Sequence, residues 1–200
     1  MTAEPNSSPL YGRLERHSAS SGSLVIAFLW GLAEATLFFV VPDVYVGFVA
    51  LFHWRKGLLT TVAATAGAMI GGAIMYGLAG ANAPAINELL VEVPLISPEM
   101  VRTVAGQTQT SGLVAMVTGP LQGIPYKIYA AQAGQQYLPF ISFVLVTIVA
   151  RLPRFFLLAL MGAGLGRVFG KSVRRRTALV VGAYVLLWIG VYVWYYFKVG

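Results

Sequence analysis

Long apolar stretches separated by short polar breaks run through most of this chain. The apolar stretches cover residues 24–41, 58–80, 138–150, 155–166 and 178–197. A helix needs about 20 apolar residues to cross the hydrocarbon core of a bilayer, so there is room for four or five passes. The pattern therefore predicts an all-α polytopic membrane protein, with one membrane domain over residues 23–200.

Positive charges beside these stretches indicate which ends stay in the cytoplasm, because cytoplasmic loops carry an excess of lysine and arginine. Residues 1–22 are polar and serine-rich, which predicts a flexible N-terminal tail, and they carry two arginines. The break at 53–57 has an arginine and a lysine, and the loop at 167–176 has the largest basic cluster. Acids outnumber bases at 81–110. We expect a cytoplasmic N-terminus, two cytoplasmic basic loops, and 81–110 outside.

Helix breakers interrupt two of the segments. Residues 24–52 begin and end beside cytoplasmic charge, and they are too few for two crossings, which would need about 40 residues. A re-entrant hairpin divided at Pro42 is the economical interpretation. Residues 111–134 have too few apolar positions for a clean span and contain Gly119, Pro120, Gly123 and Pro125. They predict a second re-entrant element, entering from outside.

A crossing follows each re-entrant element, at 58–80 and at 138–166, where Pro153 is expected to split the run. Each re-entrant element and the crossing after it form one unit, and the second unit has the opposite orientation, so the two form an inverted repeat. Residues 178–197 add a C-terminal transmembrane helix. Transporters built in this way bind substrate where the helix breaks converge. Between the repeats, Ser97-Pro98-Glu99 carries an N-cap, a first-turn proline and an acid, which predict a linker helix outside at 98–109.

Five charged residues lie inside the apolar segments: Glu34, Asp43, Lys127, Arg151 and Arg154. A charge at mid-membrane depth costs roughly 2.5–3.5 kcal/mol, so such residues persist where they are used or paired. They lie near the predicted helix breaks, whose residues are Pro42, Pro120, Gly123, Pro125 and Pro153. Irregular backbone cannot face lipid, so the breaks indicate a polar cavity. We predict that the five charges form a substrate or proton site of a transport protein.

Each charge also has a structural interpretation. Glu34 fits either a protonated carboxyl bonded to a neighbouring helix or a proton-linked site, and Asp43 fits a helix cap as well as a functional acid. Arg151 and Arg154 share one helical face and fit snorkelling, structural pairing or a phosphate clamp. Lys127 fits snorkelling at the outer interface as well as function. Because an unpaired buried charge is costly, we expect Glu34 or Asp43 within reach of Arg151 or Arg154.

The composition of the chain excludes several kinds of chemistry. The chain has 200 residues, 58% hydrophobic and 10% charged, with no cysteine, and a mean hydropathy of +0.74. The absence of cysteine excludes disulfides and thiolate chemistry. The two histidines lie outside the apolar segments, and neither a zinc-protease pair nor a serine-nucleophile elbow is present. We expect no enzyme activity, no cofactor and no metal. The net charge of +7 reflects membrane-flanking loops, so we expect no nucleic acid partner.

The residues from Glu34 to Gly166 resemble the DedA/VTT (SNARE-associated) family of membrane proteins. Glu34 followed by Pro42-Asp43 is similar to the acid and Pro-Gly-Asp/Glu turn of that family, without the intervening glycine. The family's second element has Arg-Phe-x-Pro-x-x-Arg; here the first arginine is absent, and Lys127 stands close to the second. The run 151–154, Arg-Leu-Pro-Arg, resembles a sub-branch of the family.

This resemblance implies a lipid translocase or scramblase of the bacterial inner membrane. Its substrate would be a phospholipid or a polyprenyl-phosphate carrier, and its partners membrane lipids with anionic or phosphate-bearing head groups. Proton coupling and oligomeric state stay open. Two other functions also fit the same pattern: a small ion or solute exchanger, and a non-transporting membrane scaffold whose buried charges only pair.

Overall fold

The computed structural model describes residues 8–199, and within these residues every regular element is helical. The helices are α1 (Pro9–Ala19), α2 (Gly22–Thr36), α3 (Asp43–Phe52), α4 (Trp54–Ala81), α5 (Ala83–Glu92), α6 (Pro98–Ser111), α7 (Ala115–Thr118), α8 (Tyr126–Gln135), α9 (Phe140–Val168), α10 (Gly170–Arg175) and α11 (Thr177–Val199). Short 3-10 turns flank α7, at Gly112–Val114 and Gly119–Gln122.

Three helices, α4, α9 and α11, are long and apolar enough to cross a membrane. They have 28, 29 and 23 residues, and the shortest still reaches about 35 Å at 1.5 Å per residue. Helices α1 and α2, which meet at a 70° bend, pass the same test as a pair. The all-helical architecture predicted from the sequence is confirmed, and the length and composition of the apolar helices are consistent with a membrane protein.

The predicted flexible tail at 1–22 is wrong where the structure describes it, and residues 1–7 lie outside the described residues. Helix α1 begins after Ser8, whose Oγ accepts a hydrogen bond from the Tyr11 N–H at 3.2 Å. Tyr11 and Leu14, three residues apart on one face, pack against the buried cluster of Leu51, Phe52 and Val173. A good cap and an apolar stripe stabilise this helix despite its polar composition.

Both predicted helix breaks near Pro42 and Pro125 are present. Residues 37–42 between α2 and α3 are not helical, and Gly123, with a φ of 93°, ends the turn before α8. The prolines stand in the N-cap positions of α3 and α8, so they precede the second half of each element. Each proline therefore starts the second half-helix and does not end the first. Proline fixes its own φ near the helical value and lacks an N–H, which suits a helix start.

Two other boundaries differ from prediction. Pro153 does not split the run at 138–166, because it lies inside the uninterrupted helix α9. A proline removes one backbone hydrogen bond, and membrane helices tolerate this loss where neighbouring groups compensate. The basic loop at 167–176 contains the last two residues of α9 and the short helix α10.

The segment at 81–110 is more ordered than predicted. Helix α5, which the sequence pattern did not predict, begins after Asn82, whose side-chain oxygen accepts from the Ala85 N–H at 3.2 Å. Helix α6 begins as predicted, with Ser97 Oγ accepting from the Met100 N–H at 3.2 Å, and it continues to Ser111. Asparagine and serine both satisfy amide groups that have no partner within the helix.

Helix α4 occupies the centre of the bundle and contacts α2, α3, α8 and α9. A Cβ added to Gly67 would collide with the Phe28 carbonyl of α2, so only glycine permits this approach. A Cβ at Gly162 of α9 would likewise collide with the Gly47 carbonyl of α3. Small residues on α4 and α9 thus let the neighbouring helix backbones approach closely. Helix α11, by contrast, lies at the edge of the bundle with most of its side chains exposed.

Candidate functional site

The two helix breaks meet through Lys127. This residue lies in the first turn of α8, and its Nζ donates a hydrogen bond to the Phe38 carbonyl, in the first break, at 2.7 Å. The lysine side chain is 2% exposed, so the snorkelling interpretation is wrong. A lysine buried between elements 89 residues apart brings the second break against the first.

Glu34 and Arg151 form an ion pair inside the bundle. Glu34 lies in the last turn of α2, Arg151 lies near the middle of α9, and their side chains are 4% and 1% exposed. The Arg151 guanidinium also lies 4.8 Å from the ring centroid of Tyr126 and 5.1 Å from that of Phe155. Aromatic faces attract a cation, so the arginine is held on three sides. Its Nε has no hydrogen-bond partner within residues 8–199.

Asp43 and Arg154 form a second pair, one turn further along α9. Arg154 Nε donates to Asp43 Oδ1 at 3.1 Å, and Nη2 donates to Oδ2 at 2.7 Å. This bidentate geometry is the strong form of a carboxylate–guanidinium contact. Asp43 is the first residue of α3 and not its cap, and it lies at the positive end of the helix dipole. Its side chain is 2% exposed and that of Arg154 is 32% exposed.

The predicted pairing of acids with arginines is thus confirmed, and both acids are engaged. The arginines, three residues apart on α9, hold the two sides of the first break, since Glu34 precedes the break and Asp43 follows it. Neither arginine needs to snorkel, because its partner lies within the bundle.

Side chains from outside the break satisfy its irregular backbone. The Val40 carbonyl accepts from the Trp30 Nε1–H at 2.9 Å, and the Val41 N–H donates to the Tyr192 hydroxyl at 2.8 Å. Unsatisfied backbone groups cost several kcal/mol in a bilayer core, so these contacts are what the break requires.

Helix α11 contributes tyrosines to both breaks and to the first turn of α3, which the sequence pattern did not predict. Besides the Tyr192 contact, Tyr184 donates to the Val44 carbonyl at 2.8 Å and Tyr195 donates to the Gly123 carbonyl at 2.7 Å. The aromatic residues at 194–197 are typical of an interfacial belt at the end of a transmembrane helix, but Tyr195 contacts the second break instead. The spacing of the three tyrosines places them within an arc of about 80° on one helical face, and this signal could have indicated a contact surface.

A cavity of about 270 Å³ lies between the two breaks, α9 and α11. Its charged lining residues are Glu34, Lys127, Arg151, Arg154 and Lys198. Aromatic residues of α11 form the opposite wall: Trp188, Tyr192, Trp194 and Tyr195. Pro120, Gly123 and Pro125 of the second break also line it, whereas Asp43 lies behind Arg154 and Pro153 lies outside.

The cavity carries an excess of positive charge. Glu34 and Asp43 each balance one arginine, and Lys127 forms no ion pair among the described residues. Within residues 8–199, no group of three or more histidine, aspartate or glutamate side chains could hold a metal ion. The arrangement is suited to binding an anion beside an aromatic surface.

Comparison with known proteins adds one relative. A protein of Haemophilus influenzae described as uncharacterized is 28% identical over 154 residues, which cover 77% of this chain and 79% of that protein. No family model matches the chain, and no solved structure matches it.

Proposed function

We propose that this protein is a lipid translocase or scramblase of the DedA/VTT type, which takes a phosphate-bearing head group into the central cavity. The observation that carries this proposal is Lys127, a buried cation that lines the cavity and whose Nζ has a single hydrogen-bond partner among residues 8–199, the Phe38 carbonyl. An ammonium has three donors, so two remain for a ligand. An uncompensated charge of this kind is costly, and a bound anion would offset the cost.

Arg154 is the second proposed ligand of the phosphate. It lines the same cavity, and it is the more exposed arginine, at 32%. Guanidinium groups match the geometry of phosphate oxygens, so Arg154 can exchange contacts with Asp43 for contacts with the head group. Arg151 is fully buried with Glu34 between two rings, and in this proposal it holds the site together.

The surroundings favour an amphiphile over a small free anion. One wall of the cavity is aromatic and belongs to α11, the helix whose side chains are mostly exposed. A head group in the cavity could therefore keep its chains in the bilayer. A phospholipid and a polyprenyl phosphate both have this chemistry.

We further propose that α2–α3 and α7–α8 are opposed re-entrant elements of an inverted repeat. Support comes from their helix contacts, because each contact in the first half has a counterpart in the second half. Helix α2 packs on α4 as α7 packs on α9, and α3 packs on α9 as α8 packs on α4. A bacterial inner-membrane location with a cytoplasmic N-terminus belongs to the same proposal and rests on loop charge and family resemblance.

The test is lipid flipping in proteoliposomes, followed by dithionite bleaching of a fluorescent phospholipid, with and without a pH gradient. Lys127→Met should reduce the flipping rate about tenfold or more, because a charge-assisted contact contributes about 1.5–3 kcal/mol. Lys171→Met, the same change at an exposed position of α10, should leave the rate unchanged. The unfolding free energy of Lys127→Met should stay within about 2 kcal/mol of the native protein, since the lost hydrogen bond and the relieved burial of charge oppose each other.

The other outcomes separate the alternatives. Native flipping by a folded Lys127→Met would remove the basis of the proposal. Uptake of a labelled small anion without lipid flipping would indicate an exchanger, and neither activity in the native protein would indicate a scaffold. A rate that depends on the pH gradient in the native protein but not in Glu34→Gln would assign proton coupling to that acid.

A further inference from the structure

A second cavity, of about 570 Å³, lies at the basic end of the bundle, where α1, α3, α9 and α10 meet. It shares no lining residue with the central cavity. Neither ion pair of the central site reaches it. A ligand of the second cavity would therefore bind independently of the central site.

The walls of this second cavity are apolar and its rim is basic. Leu51 and Phe52 form a buried wall, and Leu160 and Trp54, 47% and 55% exposed, continue it to the outer surface. Arg167 and Arg174 line the rim, opposed by one acid, Glu15. An apolar wall that continues to the outside below a cationic rim fits an amphiphile with an anionic head.

The local charge is strongly one-sided. The segment from Arg167 to Arg176 carries five cations, and the chain has no acid after Glu99. Arg167 forms no ion pair within residues 8–199, whereas Glu15 lies within 3.5 Å of the Tyr11 hydroxyl. The rim therefore has cationic charge available for a ligand.

Two glycines at the cavity have room for a side chain. A Cβ added at Gly164 or Gly170 would meet no atom within 4 Å, and both residues line the cavity. A substitution at either position therefore adds volume beside the cavity without a collision with the backbone.

We propose that this second cavity binds an anionic phospholipid, with its phosphate at Arg167 and one acyl chain along Leu160 and Trp54. The site would hold the basic end of the protein at the membrane surface, where anionic head groups attract cationic segments. This inference requires a membrane location and does not rest on the proposed transport function.

Lipid binding can be followed by the fluorescence of Trp54, because bromine on an acyl chain quenches the fluorescence of a tryptophan that it touches. The full-length protein in zwitterionic detergent micelles is titrated with brominated phosphatidylglycerol or brominated phosphatidylcholine, and the signal of Trp54→Phe is subtracted. Phosphatidylglycerol should quench at about a tenfold lower mole fraction than phosphatidylcholine. Arg167→Gln should remove most of that preference, whereas Arg175→Gln, an equal loss of charge outside the cavity, should change it by less than about threefold.

Further variants distinguish a lipid bound in the second cavity from lipid attracted to the basic end by charge alone. Gly164→Leu should abolish the selective quenching, and Gly182→Leu, equally unobstructed but on α11, should not. Lys127→Met should have no effect, which separates this site from the central one. Equal quenching by both lipids would overturn the proposal, as would equal effects of Arg167→Gln and Arg175→Gln. Displacement of the lipid by inorganic phosphate alone would show an anion site without a chain site, and would also overturn it.

Discussion

Breaking the Glu34–Arg151 pair tests whether it stabilises the bundle as its burial indicates. Both side chains are at most 4% exposed, so water cannot solvate whichever charge is left behind. Removing one partner of a buried pair costs about 3–5 kcal/mol, whereas replacing both by apolar groups of similar volume is often neutral. We therefore expect Arg151→Met and Glu34→Leu each to lower the free energy of unfolding by about 3–5 kcal/mol.

The decisive comparison is between the stability loss of the double variant Arg151→Met/Glu34→Leu and the sum of the two single losses. Two independent losses would add to roughly 6–10 kcal/mol, but the doubly apolar site leaves no unpaired charge, so we expect a total below about 3 kcal/mol. Unfolding in mixed micelles with increasing mole fraction of SDS, followed by tryptophan fluorescence, gives all three values. Additive losses would refute the pairing argument, and single losses under about 1 kcal/mol would show that the site is hydrated.

The Asp43–Arg154 pair provides an internal control, because the expected loss of stability depends on which partner is replaced. Asp43→Asn leaves Arg154, which is 32% exposed and can turn towards water, so we expect a loss near the surface limit of about 1 kcal/mol. Arg154→Gln leaves a buried carboxylate and should cost about 3–5 kcal/mol. Equal losses for the two variants would contradict the difference in burial.

Three further outcomes are expected. In intact cells, an impermeant thiol reagent should label Glu92→Cys and not Arg175→Cys, because the basic loop is expected in the cytoplasm. Gly67→Leu should lower the unfolding free energy by at least about 2 kcal/mol, measured in the same SDS titration, since its side chain would enter the backbone of α2. Tyr195→Phe should increase the rate at which a soluble quencher reaches the central cavity, because it removes the hydrogen bond to the Gly123 carbonyl.

Matched controls exist for each of these outcomes. Equal labelling at both cysteines would mean two orientations and would end the topology assignment. Gly77→Leu, at a position with no atom within 4 Å, should be tolerated, since leucine favours a helix more than glycine does; a similar loss there would show that collision with α2 is not the cause at Gly67. Tyr196→Phe, at an exposed position beside Tyr195, should not change quencher access; if it does, the hydrogen bond is not the cause.

The helices that could be predicted from the sequence are those determined by neighbouring residues. Apolar runs indicate α4, α9 and α11, and Ser97-Pro98 indicates the start of α6, because length and capping act within a few residues. Helices α1 and α5 were not predicted because their composition is polar or mixed, and the caps at Ser8 and Asn82 are single residues without a long apolar run behind them.

The sequence indicated which charged residues form the site, but it did not indicate how they pair. The cost of buried charge shows that the two acids and two arginines need partners, but it does not show which acid meets which arginine. That choice depends on how the first break folds back over α9. The part played by α11 was hidden because Tyr184 and Tyr192 lie within an apolar run and Tyr195 resembles part of an interfacial belt. Only the folded chain brings these tyrosines to the backbone of the two breaks and of the first turn of α3.

The order of the ion pairs along the chain has a consequence for biosynthesis. Asp43 precedes Arg154 by 111 residues, and both acids lie in the first half of the chain while both arginines lie in the second. At a synthesis rate of about 5–20 residues per second, the acids wait roughly 5–20 s for their partners. During that interval the first broken element carries two unbalanced carboxyl groups. Until α9 has been made, each carboxyl group must therefore contact water or bind a proton, and the two ion pairs close only afterwards.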